Sequence, residues 1–151
     1  MATETAAQAE PGTEVLIEQG LFALDDRGQP RLIGSRCRGC SSVFGGRRRV
    51  CLACFGRDLE ERLLEPRGVV YSFTTVFQAG RGSFVQAPYN IVQVRIPEGV
   101  IITAPLVECD PAAVAIGMPV ETKALRFPGE SGQVIVTYAW VPAQAGGGKE
   151  A

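Results

Sequence analysis

The stretch RCRGCSSVFGGRRRVCLAC, residues 36–54, holds two Cys-x-x-Cys pairs, Cys37/Cys40 and Cys51/Cys54, separated by ten residues. Two thiolates from each pair can meet one ion tetrahedrally, with zinc–sulfur distances of about 2.3 Å. The spacer is shorter than the roughly 15–20 residues of one common zinc pattern, yet it is long enough for a hairpin that returns the second pair to the first. Tetrahedral sulfur suits zinc and rubredoxin-like iron alike, so the sequence leaves that choice open. The competing readings are a thioredoxin-like redox pair, which wants a βαβ setting that is missing here, and four buried free cysteines. Four cysteines close the tetrahedron and leave no position for a reacting water. The metal is therefore read as structural, supplying folding free energy to a small module.

Working outward, Asp25-Asp26-Arg27-Gly28 lies between Leu21–Leu24 and Arg31–Ser35, a hairpin signal whose second arm runs into Cys37. Residues 21–62 are assigned to a zinc ribbon. After the cysteines come five strand-like runs rich in β-branched and aromatic residues: Gly68–Gln78, Tyr89–Ile96, Val100–Glu108, Val120–Phe127 and Gln133–Val141. Asp110 followed by Pro111 reads as a cap and first position of one short helical turn within Asp110–Gly117. Five antiparallel strands with that interruption suit a small closed barrel, so residues 63–141 are assigned to an OB-fold. The fold class expected is all-β: a rubredoxin-like zinc ribbon followed by a five-stranded OB-fold barrel. Val15–Leu21 reads as one or two helical turns, and residues 1–20 and 142–151 as mobile tails.

The chain has 151 residues, 46% of them hydrophobic and 21% charged, which is ordinary for a folded domain. No apolar run approaches the ~18 residues of a membrane span, and the N-terminal MATETAAQAEPGTE is acidic, so a cytoplasmic location without a membrane partner is expected. Five cysteines, four of them in Cys-x-x-Cys pairs, favour metal in a reducing compartment. Histidine is absent. No triad or Cys-His dyad can be assembled within this chain, and any catalytic histidine must belong to another subunit.

Charge is unevenly placed. Arg27 to Arg57 contains eight arginines and no Asp or Glu, a formal +8 in a chain of net charge −1, which leaves −9 for everything else. Arg47, Arg48 and Arg49 have two readings: they balance the zinc thiolates, or they form an anion-binding or docking surface, since guanidinium forks recognise phosphates and carboxylates. Phe84, in the glycine-bearing loop Ala79–Pro88, is a further candidate contact and is expected to be more than half exposed. Tyr71, Phe73 and Phe77 are expected to share one face of a strand as barrel core rather than as a base-stacking platform. Cys109, with no histidine to activate it, is expected to be a small buried hydrophobe.

The order of RCRGC, a basic connector, VCLAC, RGVVYSFTTVF, APYNIVQVRIPEGVIITAPLVECDP and IGMPVETKALRF resembles an acyl-CoA-associated family in which a rubredoxin-like zinc ribbon precedes an OB-fold. That family was once catalogued only as a domain of unknown function. The resemblance spans about residues 31–128. It implies a non-catalytic subunit beside a thiolase-like enzyme that works on coenzyme A thioesters, whether by thiolysis, acyl transfer or aldol cleavage. The members include one serving a thiolase of anaerobic toluene degradation. By position, Cys37, Cys40, Cys51 and Cys54 match the family's metal ligands. Two departures concern the connector, where prolines are replaced by Gly45-Gly46 and Arg47–Arg49, and the second knuckle, which reads Cys-Leu-Ala-Cys. Two other readings stand beside the accessory subunit: a nucleic-acid-binding OB-fold, disfavoured by the −9 body because a groove tracking phosphates should be basic, and a purely structural scaffold.

Overall fold

The computed structural model describes residues 12–18 and 20–143. Ten strands are defined: β1 Glu14–Leu16, β2 Phe22–Leu24, β3 Pro30–Cys37, β4 Val43–Gly45, β5 Leu59–Leu63, β6 Arg67–Val76, β7 Tyr89–Arg95, β8 Ile101–Leu106, β9 Pro119–Pro128 and β10 Val134–Pro142. The only helix-like element among the described residues is the 3-10 turn Pro111–Ala113, and no helix there is long and apolar enough to cross a membrane.

Strands β2 and β3 form the predicted hairpin. The Asp25 carboxylate accepts from the backbone N–H groups of Arg27 and Gln29, both at 2.9 Å, and Gly28 takes φ +74°, a conformation that costs glycine little. Strand β3 then runs on into the cysteines, pairing with β4 on one side and with β5 on the other.

The second unit is a closed barrel. β6, β7 and β8 form an antiparallel meander, β6 also pairs with β9, β9 pairs with β10 over its whole length, and β10 returns to β8 through Trp140 opposite Leu106. The circuit β6-β7-β8-β10-β9-β6 is that of an OB-fold, each of these five strands pairing with its two neighbours in the circuit. The closing contact β10–β8 is parallel, whereas the sequence pointed to antiparallel strands throughout. The 3-10 turn follows β8; the Asp110 carboxylate accepts from Ala112 N–H at 2.9 Å, as its capping position requires.

Ribbon and barrel share one core. Phe22 and Leu32 of the ribbon, with Leu64 from the connection between β5 and β6, pack in the same cluster as Val70, Val92, Val94, Val120, Val136 and Trp140 of the barrel. Thr122 Oγ1, from β9, donates to the Pro30 carbonyl of β3 at 3.0 Å in a buried setting, so a polar contact also spans the join.

Two expectations need correction. Val15–Leu21 is not helical: Glu14–Leu16 pairs in parallel with Val134–Val136, and Ile17 N–H donates to Val136 C=O at 3.0 Å. The tail drawn over residues 1–20 therefore contains an ordered strand; residues 1–11, 19 and 144–151 lie outside the described residues. The aromatic stripe is not core either. A bulge between Val70 and Ser72 inserts Tyr71 as an extra residue, because Val70 faces Val94 while Ser72 already faces Gln93. Tyr71 stands exposed beneath the Arg95 guanidinium, 4.4 Å from its ring centroid. Phe73 faces Val92 but keeps part of its ring in solvent, and Phe77, beyond the strand end, is exposed. Cys109 is partly buried against the core, and burial pushes its thiol pKa up.

Candidate functional site

The four paired cysteines are brought together as their spacing requires. Each Cys-x-x-Cys forms a tight turn: Ser41 N–H donates to Cys37 C=O at 2.9 Å, and Phe55 N–H to Cys51 C=O at 3.0 Å. Strand β3 delivers the first pair and the returning connector the second, so all four Sγ atoms lie within 4.8 Å of one another. The Cys37–Cys54 and Cys40–Cys51 sulfurs are 3.7 and 3.5 Å apart. A sulfur tetrahedron around zinc has edges of about 3.8 Å, so the residues fit a metal of that size. The N–H groups of Ala53 and Cys54 point at Cys51 Sγ, each at 3.4 Å, as donors to a thiolate would. Cys37 and Cys51 are buried, while Cys40 and Cys54 face outward.

The sulfurs are electrostatically unequal. The Ser42 hydroxyl, followed by the Ser42 backbone and Cys51, draws the Cys40 thiol down to about 6. At Cys54 the Gly56 backbone N–H favours the thiolate, but hydrogen bonds from Cys37, Cys51 and Cys40 together with burial outweigh it and push the pKa up to about 12. Four sulfurs at these distances cannot all be anionic without a cation among them; a divalent ion removes that conflict.

The arginines divide into two groups. Arg36 meets Glu60 at 3.3 Å, Arg38 meets Asp58 and Glu60 at 3.3 and 3.4 Å, and Arg47 meets Glu61. All these carboxylates come from β5 or the residue before it, just past the acid-free stretch. The Arg36 and Arg38 guanidiniums hold the Glu60 carboxyl below its ordinary pKa, and Arg47 does the same for Glu61. Arg48 is fixed through its main chain, its N–H donating to Ser35 Oγ at 2.8 Å, and its Nε donates to Gly45 C=O at 3.3 Å. Neither Arg48 nor Arg49 has a carboxylate within 4.0 Å among the described residues. Arg47–Arg49 line one groove with Ser35, Leu59, Glu60 and Glu61.

Phe84 lies elsewhere. It is 52% exposed and stacks on Phe127 of β9, centroids 4.0 Å apart at 19°. The two rings wall an open groove of about 510 Å³ with Ile17, Ile135 and Gln133. That groove shares no lining residue with the arginine groove. Sequence reasoning missed the β5 carboxylates, because their pairing depends on a strand of low β-propensity, and Phe127, whose partner is a loop residue. It also passed over Leu52 and Phe55 on the second knuckle, both exposed.

Sulfur site and barrel together define a zinc-ribbon and OB-fold protein. The ChsH2 rubredoxin-like zinc ribbon domain matches residues 25–60, and the ChsH2 C-terminal OB-fold domain matches residues 61–124. A DUF35 domain-containing scaffold protein of Methanocaldococcus jannaschii is 36% identical over 110 residues, covering 72% of this chain and 78% of the relative. The chain belongs to this ChsH2/DUF35 family. The benzoylsuccinyl-CoA thiolase subunit BbsA of Thauera aromatica is 33% identical over 86 residues, 57% of this chain and 58% of that protein. Among solved structures, the Ltp2-ChsH2(DUF35) aldolase is similar with a TM-score of 0.62 and 25% identity, covering 74% of this chain and 84% of the matched one.

Proposed function

We propose that the chain is a non-catalytic zinc-binding subunit of a thiolase-like complex acting on a coenzyme A thioester in the cytoplasm. The observation that carries this reading is the ribbon-and-barrel pair itself, taken with the likeness in sequence to the BbsA thiolase subunit and in structure to the Ltp2-ChsH2 aldolase. The absence of histidine supports it, because the commonest general acid and base, and the usual partner of a cysteine nucleophile, must then come from another subunit. Cys37, Cys40, Cys51 and Cys54 hold the zinc, which supplies rigidity to the ribbon and, with four protein ligands, offers no position to substrate. Arg48 and Arg49, with no carboxylate within 4.0 Å among the described residues, are suited to the phosphates of coenzyme A or to an acidic surface of the catalytic subunit. Arg47, already paired with Glu61, contributes by shaping that groove. The Phe84–Phe127 groove offers an apolar wall for a partner segment or an acyl chain. Thiolytic cleavage of benzoylsuccinyl-CoA in aromatic degradation is the specific reaction that the likeness to BbsA brings forward.

A second reading is favoured by the scaffold relatives: the chain holds other subunits together without touching the thioester. One experiment separates the two. Co-expression with the thiolase-like protein of the same organism should give a stable complex, with thioester turnover lost when this chain is omitted. Full turnover by the larger protein alone would refute the subunit reading. A stable complex whose Michaelis constant for the thioester ignores Arg48→Ala and Arg49→Ala would leave only the scaffold.

A further inference from the structure

The two zinc knuckles have the same backbone and different surfaces. In the first, Cys37 N–H donates to Ser42 C=O at 2.9 Å and Ser41 sits at φ +67°; in the second, Cys51 N–H donates to Gly56 C=O at 2.8 Å and Phe55 sits at φ +60°. Position by position, Arg38 corresponds to Leu52 and Ser41 to Phe55. The left-handed conformation suits glycine or asparagine, and a bulky side chain there is an outlier. Burial could offset that cost, but Phe55 is 78% exposed. Leu52 is 59% exposed beside it, and Val50 is exposed as well. The fold gains nothing from an aromatic ring that a serine does without at the matching position of the other knuckle. Nothing among the described residues accounts for phenylalanine in that place.

Charge narrows the partner. Arg38, on the first knuckle, is neutralised by Asp58 and Glu60. Arg49 and Arg57, which flank the second knuckle in the chain, are exposed and have no carboxylate within 4.0 Å among the described residues. An apolar tip with an unpaired basic rim matches a protein surface that offers an apolar pocket bordered by carboxylates. We infer that the second knuckle is the docking tip of this subunit: Phe55 and Leu52 enter such a pocket on the thiolase-like catalytic subunit, with Arg49 and Arg57 meeting acidic residues at its rim. Central aromatic anchors surrounded by a polar rim dominate interfaces of this kind, and the metal makes this anchor rigid before binding. The inference rests on the subunit reading and adds to it the surface that makes the contact.

The test uses the full zinc-loaded chain and the purified thiolase-like subunit of the same organism, with affinity measured by calorimetry. Phe55→Gly relieves the backbone, so it should keep its zinc and its melting temperature while the dissociation constant rises about tenfold or more. Leu52→Ser should act in the same direction, and Ser41→Gly, at the matching position of the first knuckle, should leave affinity unchanged. Wild-type affinity in Phe55→Gly would overturn the inference while leaving the subunit reading intact. If the unaltered chain does not bind the catalytic subunit, both fall. Should Phe55→Gly instead abolish adsorption to phosphatidylserine vesicles, or dimerisation of the chain, with binding to the catalytic subunit unchanged, the tip belongs to a lipid surface or to a second copy and the inference is likewise overturned.

Discussion

Leu64 lies between β5 and β6, fully buried at 0% exposure, and belongs to the cluster that unites ribbon and barrel. Its side chain fills the space above Gly34: a Cβ built there would come within 2.5 Å of Leu64 Cδ2. Truncating it in Leu64→Ala leaves a cavity that glycine has no atoms to fill, which puts the cost in the upper part of the usual range, about 3–5 kcal/mol. Unfolding entropy near 2.1 cal/mol/K per residue, over about 130 described residues, turns that into a fall of roughly 10–18 °C in Tm. Two probes report the two ends of the molecule. Trp140, the single tryptophan, is buried in the barrel, and the thiolate-to-metal absorption of cobalt-substituted protein reports the ribbon. With one shared core both transitions should move down together. If the metal band is lost early while Trp140 fluorescence keeps its original midpoint, the ribbon melts as a separate unit and the shared-core argument is wrong.

Asn90 is buried, accepts from Thr75 Oγ1 at 2.7 Å and donates to Pro111 C=O at 2.9 Å. Asn90→Ala should cost about 1–3 kcal/mol by leaving those partners unmet, read as a lower urea midpoint at unchanged zinc content. Replacing Arg48 and Arg49 by alanine should weaken either thioester affinity or assembly by about tenfold per arginine, with zinc retained. Arg47→Ala alone removes an exposed, solvent-screened ion pair with Glu61 and should leave the melting temperature nearly unchanged. Unchanged Michaelis constant and unchanged complex stability in the Arg48/Arg49 double variant would reduce both arginines to solvated surface.

The parts that were legible in the sequence are those set by local chemistry. Cysteine spacing, the Asp25–Gly28 turn, the Asp110 cap and the β-branched runs of β6 to β10 each carry their own signal within a few residues. Strand β1 carries none of its own: Glu14–Leu16 is extended because β10, about 120 residues later, offers an edge to pair with. Strand β5 reads LEERL, poor in strand formers, and is held by its ladder to Ile33–Cys37. The bulge at Tyr71 was invisible for another reason. Side-chain alternation has a period of two, so one inserted residue reverses the facing of everything before it relative to everything after it, and no residue type announces the insertion. Tyr71 and Phe73, on one face by simple counting, were thereby separated.

The same distinction governs the charges. Counted along the chain, Arg27–Arg57 is a head of +8 on a body of −9, which points to a long-range basic field. Folding changes that partition, because Asp58, Glu60 and Glu61 lie immediately beyond the window and β5 brings them back against Arg36, Arg38 and Arg47. Arg31 is turned to the Leu64 carbonyl at 3.4 Å. Arg27, Arg48, Arg49 and Arg57 remain exposed with no carboxylate within 4.0 Å among the described residues, and the last three are close in sequence to the second knuckle and its exposed Leu52 and Phe55. A groove that follows a phosphate backbone needs a row of free cations, whereas a docking tip needs a few beside an apolar anchor. What is left after folding has the second arrangement, which is the physical reason for placing a protein surface, rather than a nucleic acid, against the ribbon.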